Sequence, residues 1–231
     1  MTHSTINSII TLQAKEILPK KKYLVSSIVI GTILPDIDFI LSWIFKISEI
    51  NYLINLNILN SFFHSIFMIP LLALIVLIYS EYKKVSEISA IAIGLSIGMF
   101  FHIIFDIITF QSVGILYPLF DSSLNFDLNN YFTINLPDKI KRLIISSEFI
   151  FLYVYGWIII NKIIKNPKEN YMMIKKITIW IKLELYIFLL FLFFIYFEVS
   201  ELIFKNTFDI FYILSIMTTI YITFKIRSTI D

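Results

Sequence analysis

Two short blocks and one isolated dipeptide hold the residues able to do chemistry. In Leu34-Pro35-Asp36-Ile37-Asp38, two carboxylates follow directly on a proline. In His102-Ile103-Ile104-Phe105-Asp106, an imidazole and a carboxylate stand four residues apart. On a helix they share one face and can offer one nitrogen and one oxygen to a single ion. His64, at the end of Asn60-Ser61-Phe62-Phe63-His64-Ser65, adds a second imidazole. Residues two apart point to different sides of a regular helix but to one side of extended backbone, and Pro35 favours a break that aims Asp36 and Asp38 inward together. Two His and three Asp make a donor set that zinc or a harder divalent ion accepts. A lone His in an apolar helix is ordinarily a hydrogen-bonded packing residue, and a lone Asp can pair with Lys. Here no Lys or Arg lies at the same depth in the apolar runs, so mutually repelling carboxylates call for a bound cation or for protons. The residues alone leave metal binding, proton or cation translocation by Asp36, Asp38 and Asp106, and simple packing as alternatives.

The elements that position these residues follow from composition. Of 231 residues, 58% are hydrophobic and only 16% charged, against roughly 25% charged in soluble domains. That much apolar surface has no place to hide in a soluble fold of this size, so the bilayer is the expected solvent. A net charge of +2 is too slight a basic excess for nucleic acid, which is excluded as a partner. With no Cys, disulfides, thiolate zinc sites and Cys nucleophiles are excluded too, and any metal must rest on His and carboxylates.

Apolar runs of about 20 residues cross a bilayer core of about 30 Å. Six qualify, at 23–47, 59–80, 88–110, 143–164, 177–197 and 208–224. The expected architecture is all-α: a polytopic membrane protein of about six transmembrane helices. Residues 3–18 carry Ile6, Ile9, Ile10, Leu12, Ile17 and Leu18 at loosely helical spacing, which suggests an extra amphipathic or half-spanning helix. Lys15 and Glu16 interrupt this stretch, so no cleavable signal is expected. No repeat or linker divides the chain. It reads as one membrane domain over 1–231, with a motif-bearing half (1–120), an outer loop (121–142) and three further helices (143–231).

The runs Lys20-Lys21-Lys22, Lys83-Lys84 and Lys175-Lys176 fall on one side, which the positive-inside rule makes the inner side. Asp36, Asp38, His64, His102 and Asp106 then all lie toward the outer leaflet. The Lys20-Lys21-Lys22 run is expected to meet anionic headgroups, with membrane lipid as the partner. Glu148 lies about a turn inside the outer end of the fourth run, while Lys182 and Glu184 lie near the inner end of the fifth.

The order of these blocks, Met1-Thr2-His3, then Leu34-Pro35-Asp36-Ile37-Asp38, then His64-Ser65, then His102-x-x-x-Asp106 followed by Thr109, Gly114 and Leu116-Tyr117-Pro118, resembles the YdjM family of membrane-bound proteins regarded as metal-dependent hydrolases. The likeness covers roughly residues 1–120. A more distant similarity runs to the all-helical zinc-dependent phospholipase C and P1 nuclease group. These resemblances imply His64, His102 and Asp106 as metal ligands, Asp36 as ligand or general base, and Asp38 as base or as a support to the ligands. They imply His3 as a further ligand if the first helix runs back into the membrane. They also imply a divalent cofactor, Zn²⁺ above others, a phosphoester or lipid-like substrate, and residence in a prokaryotic cytoplasmic membrane. One block departs from the family: many members have His-Arg-Gly-x-Thr-His-Ser where this chain has Leu59-Asn60-Ser61-Phe62-Phe63-His64-Ser65. The Arg that could face a phosphoryl transition state is therefore missing. No second His-x-x-x-Asp/Glu pair is present, which favours one metal over several, and a member that binds metal without turnover is the silent alternative.

Overall fold

The computed structural model describes residues 4–47, 56–108, 115–119, 137–164 and 167–231. All regular structure among them is helical: α1 (Ser4–Gln13), α2 (Leu24–Ile33), α3 (Ile37–Ile47), α4 (Leu56–Phe63), α5 (Met68–Lys83), α6 (Glu87–Ile108), α7 (Asp138–Ile163), α8 (Pro167–Tyr196) and α9 (Glu201–Ile230). A 3-10 turn, Ala14–Glu16, follows α1. His3, Thr109, Gly114 and most of the expected outer loop lie outside the described residues.

Among the described residues, four helices are long and apolar enough to cross a membrane: Glu87–Ile107, Asp138–Ile163, Tyr171–Tyr196 and Glu201–Arg227. A fifth span arises if Leu24–Ile33 and Ile37–Phe45, bent by 43°, count as one. The expected six is thus high by one or two. The span expected over 59–80 is the one that fails. Its chain breaks between Phe63 and Met68, leaving α5 with 16 residues, about 24 Å of helix, short of a bilayer core.

The break at Pro35 is present but is not extended backbone. Asp36 N–H bonds the Ile33 carbonyl, Ile37 bonds Leu34, Asp38 bonds Pro35 and Phe39 bonds Asp36, at 3.1–3.3 Å. Successive tight i to i+3 turns therefore change the axis direction where proline cannot donate to the helix ladder.

Backbones approach closely where α2 meets α6. A Cβ added at Gly98 would stand 2.2 Å from the Ile28 carbonyl oxygen and 2.7 Å from Thr32 N, and one at Gly31 would stand 2.5 Å from the Leu95 carbonyl oxygen. At Gly94 it would meet the Leu24 oxygen at 2.8 Å. In hydrocarbon, such small-residue seams let dispersion forces act between backbones where no hydrophobic difference from lipid drives association. Gly94, Gly98, His102 and Asp106 recur every four residues, so the face that lets α6 touch α2 continues into the two candidate ligands.

α1 turns most of its polar residues inward, together with Leu12. It buries Ser4, Thr5, Asn7, Ser8 and Thr11 against the bundle, while Ile10 is exposed. It packs on α2, α6 and α7, so its polar stripe is covered by protein rather than by water. On the far side, α7, α8 and α9 join through Phe149 stacked on Phe191 at 5.3 Å and meeting Phe208 edge-on at 5.4 Å. Arg142 donates to the Val199 carbonyl at 2.6 Å, tying α7 to the turn between α8 and α9.

A side chain at residue 98 should pry α2 and α6 apart. Gly98→Val is expected to destabilise the chain by about 1–3 kcal/mol, the usual cost of overpacking, measured as a lowered thermal midpoint in detergent. An unchanged midpoint would contradict the close seam.

Candidate metal centre

Asp36, His64 and His102 converge: one ligand atom from each lies within 4.8 Å of the others, and all three residues are buried. His102 Nε2 stands 3.3 Å from Asp106 Oδ2 and 3.8 Å from Asp36 Oδ1, and His64 Nε2 stands 3.6 Å from Asp106 Oδ2. The two imidazole rings lie 5.2 Å apart. The i, i+4 pair and the two more distant blocks therefore meet in one place.

Each member is held by a different device. His102 Nδ1 donates to the Thr32 carbonyl at 2.6 Å. A carbonyl can only accept, so Nδ1 carries the proton and Nε2 presents its lone pair to the carboxylates in the neutral ring. Asp36 follows the turns at Pro35, and its Oδ2 accepts from Tyr212 Oη at 2.9 Å. Tyr212 is itself held by the Phe208 stack and by an edge contact with Phe39 at 5.7 Å. His64 sits in the break before α5, which Ser65 braces. Its hydroxyl accepts from Phe67 N–H at 3.2 Å and donates to the Tyr117 carbonyl, while Ile66 N–H bonds the Ile115 carbonyl at 2.9 Å. The Leu116-Tyr117-Pro118 block is thus the strap against which the turn carrying His64 is docked.

Asp38 is 4% exposed in the first turn of α3, and the converging set itself is formed by Asp36, His64 and His102 with Asp106 beside them. Glu148 is fully buried and accepts from Ser4 Oγ at 3.3 Å, from Thr5 N–H at 3.3 Å and from the Thr5 hydroxyl. It caps the start of α1, where helix N–H groups lack partners and the dipole favours negative charge. Ser8 and Thr32 share a hydrogen bond of 2.8 Å, so α1 reaches the level of the site. Glu184 lies midway along the candidate span Tyr171–Tyr196 and not near its end, where the apolar run of the sequence puts it. It is fully buried midway along α8, beside Ser215 and Trp180.

Sequence reasoning missed Thr32, Tyr212 and the α1 hydroxyls. Tyr212 is one of 13 tyrosines and lies 176 residues from the carboxylate it touches. Nothing in its neighbours marks it. Thr32 acts through its carbonyl, which any residue possesses.

Apolar spanning helices enclosing a buried His and Asp donor set define an integral membrane protein with a candidate metal centre. The family model described as YdjM inner membrane protein matches residues 1–202. The chain belongs to that family. No curated protein and no solved structure matches it.

Tyr212→Phe removes the donor to Asp36 while keeping the ring in its stack. Supports of this kind hold ligands to metal, and their loss typically weakens binding by about 10–100-fold. The expected result is a weaker affinity for added zinc by calorimetry with the protein still folded. Equal affinity would mean that Tyr212 does not orient Asp36.

Proposed function

We propose that this chain is a membrane-bound, metal-dependent hydrolase acting on a phosphoester or lipid-like substrate at the outer leaflet. One observation carries the reading. With Nδ1 committed to the Thr32 carbonyl, His102 Nε2 turns a lone pair toward Asp36 and Asp106 in a buried space. In the neutral ring, lone pair and carboxylates repel one another, and a cation among them, a metal ion or a proton, relieves the repulsion. Metal-bound histidines commonly fix their second nitrogen on a carbonyl in this way.

In this reading Asp36, His64, His102 and Asp106 hold one divalent ion, with zinc suited to the mixed nitrogen and oxygen donors. Bound there, zinc supplies Lewis-acid polarisation and a more acidic water. The chain's own residues do the rest. Tyr212 and the Pro35 turns fix Asp36, and the Thr32 carbonyl fixes the His102 tautomer. Asp38, with Asp36 as the other candidate, takes the proton at a carboxylate oxygen. Burial among apolar side chains strengthens each electrostatic contact. His3 is a proposed further ligand on the strength of the family resemblance. The chain lacks the Arg of the second block, so the site is suited to slow turnover or to a substrate whose charge the ion alone can meet.

A second reading has one observation in its favour. Buried acids do not stop at the cluster: Glu148 and Glu184 are buried too, Glu184 beside Ser215, and α9 also buries Thr219 and Thr223. Such a set suits proton or cation translocation.

The deciding measurement is metal content by elemental mass spectrometry on protein purified in detergent, beside His102→Ala/Asp106→Ala and the gentler Asp106→Asn. Near-stoichiometric zinc or manganese is expected in the parent and much less in both variants. Phosphodiester or phospholipid hydrolysis is expected to follow the metal and to vanish with a chelator. No metal in any sample after reconstitution with divalent ions would overturn the hydrolase reading. Flux in proteoliposomes driven by a proton gradient would then establish translocation.

A further inference from the structure

At the opposite end of the bundle from the His and Asp cluster lies a cavity of about 1180 Å³. Its walls come from the end of α1, the connection through Tyr23, the start of α2 and the ends of α7 and α9. Four lysines of the connection, Lys15, Lys20, Lys21 and Lys22, line it together with Lys162 of α7 and Lys225 and Arg227 of α9. Glu16 and Asp231 are the acids among the lining residues.

These two acids are outnumbered by the seven cations. The Asp231 carboxylate also accepts from Ser26 N–H at 2.9 Å and Ser26 Oγ at 2.8 Å, so it is committed to the first turn of α2. Among the cations, Lys22 is drawn away to Glu87 at 2.7 Å, and Lys15 and Lys162 have interactions of their own. Cationic side chains from three separate stretches still converge on one concavity, with a mutual repulsion that a bound anion relieves.

Arg227 has the geometry of an anion contact. Its guanidinium lies over the Phe224 ring at 4.0 Å and near Tyr23 at 5.7 Å, and Nη1 donates to the Phe224 carbonyl at 3.2 Å. Stacking fixes the plane of the fork, and a fixed fork binds two phosphate oxygens with less loss of freedom than a mobile ammonium. Leu12, Leu18, Val25 and Phe224 supply apolar wall beside the charge, and the cavity lies where the candidate spans α7 and α9 end. Basic pockets between transmembrane helices of this kind suit phosphate headgroups.

We propose that this cavity binds a phosphate group, presented by an anionic phospholipid or as free phosphate, with Arg227 as its forked contact and Lys20, Lys21 and Lys225 as its charge. This site is separate from the candidate metal centre and stands or falls independently of it.

The test uses the full chain in neutral detergent and follows thermal unfolding by tryptophan fluorescence. Short-chain phosphatidylglycerol, phosphatidylcholine and inorganic phosphate are titrated at matched ionic strength. The exposed triple variant Lys20→Gln/Lys21→Gln/Lys225→Gln is compared with Lys83→Gln/Lys175→Gln/Lys176→Gln, which removes equal charge elsewhere, and with Arg227→Gln. The expected result is a rise in midpoint with phosphatidylglycerol and none with phosphatidylcholine. Its half-saturation should move by roughly 10-fold or more in the site variant and stay in place in the control. The same site-dependent rise with inorganic phosphate assigns free phosphate as the ligand. Should Arg227→Gln fail to fold, the lysine variant decides alone. No rise in the parent with either phosphate source, or equal losses in site and control variants, overturns the proposal.

Discussion

Negative charge enclosed in an apolar bundle is the condition that the rest of this molecule is arranged to meet. Asp36, Asp106 and Glu148 are each 2% exposed or less, in a solvent where an unpaired carboxylate costs several kcal/mol or neutralises itself. Each is met by something specific. Glu148 takes the open N–H end of α1, Asp36 takes the Tyr212 hydroxyl, and Asp106 faces two imidazoles. Both imidazoles stand within ion-pair distance of Asp106, and one nitrogen of His102 is committed to a backbone carbonyl.

Meeting that condition explains features that look unrelated along the chain. The glycine seam between α2 and α6 brings the Thr32 carbonyl within reach of His102, because only backbones in contact leave a 2.6 Å gap for a ring nitrogen. α1 packs with its polar side inward because Ser4, Thr5 and Ser8 have buried partners waiting there. The aromatic packing of α7, α8 and α9 is more than filling: it carries one hydroxyl to one carboxylate.

The molecule is also polarised from end to end. Acids and imidazoles gather at one level, while lysines and Arg227 gather at the other end around a separate concavity. A helix bundle accommodates such an arrangement readily, because each helix needs only to place one or two polar groups at the right height.

Hydropathy and spacing by themselves determined the all-helical membrane class, the longer spans, the break at Pro35 and the shared face of His102 and Asp106. These are local properties: apolar run length answers to bilayer thickness, proline to its missing donor, and i, i+4 spacing to helix pitch. The same signals overcounted the spans, because an apolar run does not report a turn within it when the turn is stabilised by a strap some fifty residues away, as Ser65 is by Tyr117. Only the tertiary structure decided that Thr32, Tyr212 and the hydroxyls of α1 serve the site, that Glu184 is buried in mid-helix, and that lysines and an arginine from three stretches line one cavity. Contacts between distant segments, made through a carbonyl or one tyrosine among many, leave no periodic trace in the sequence.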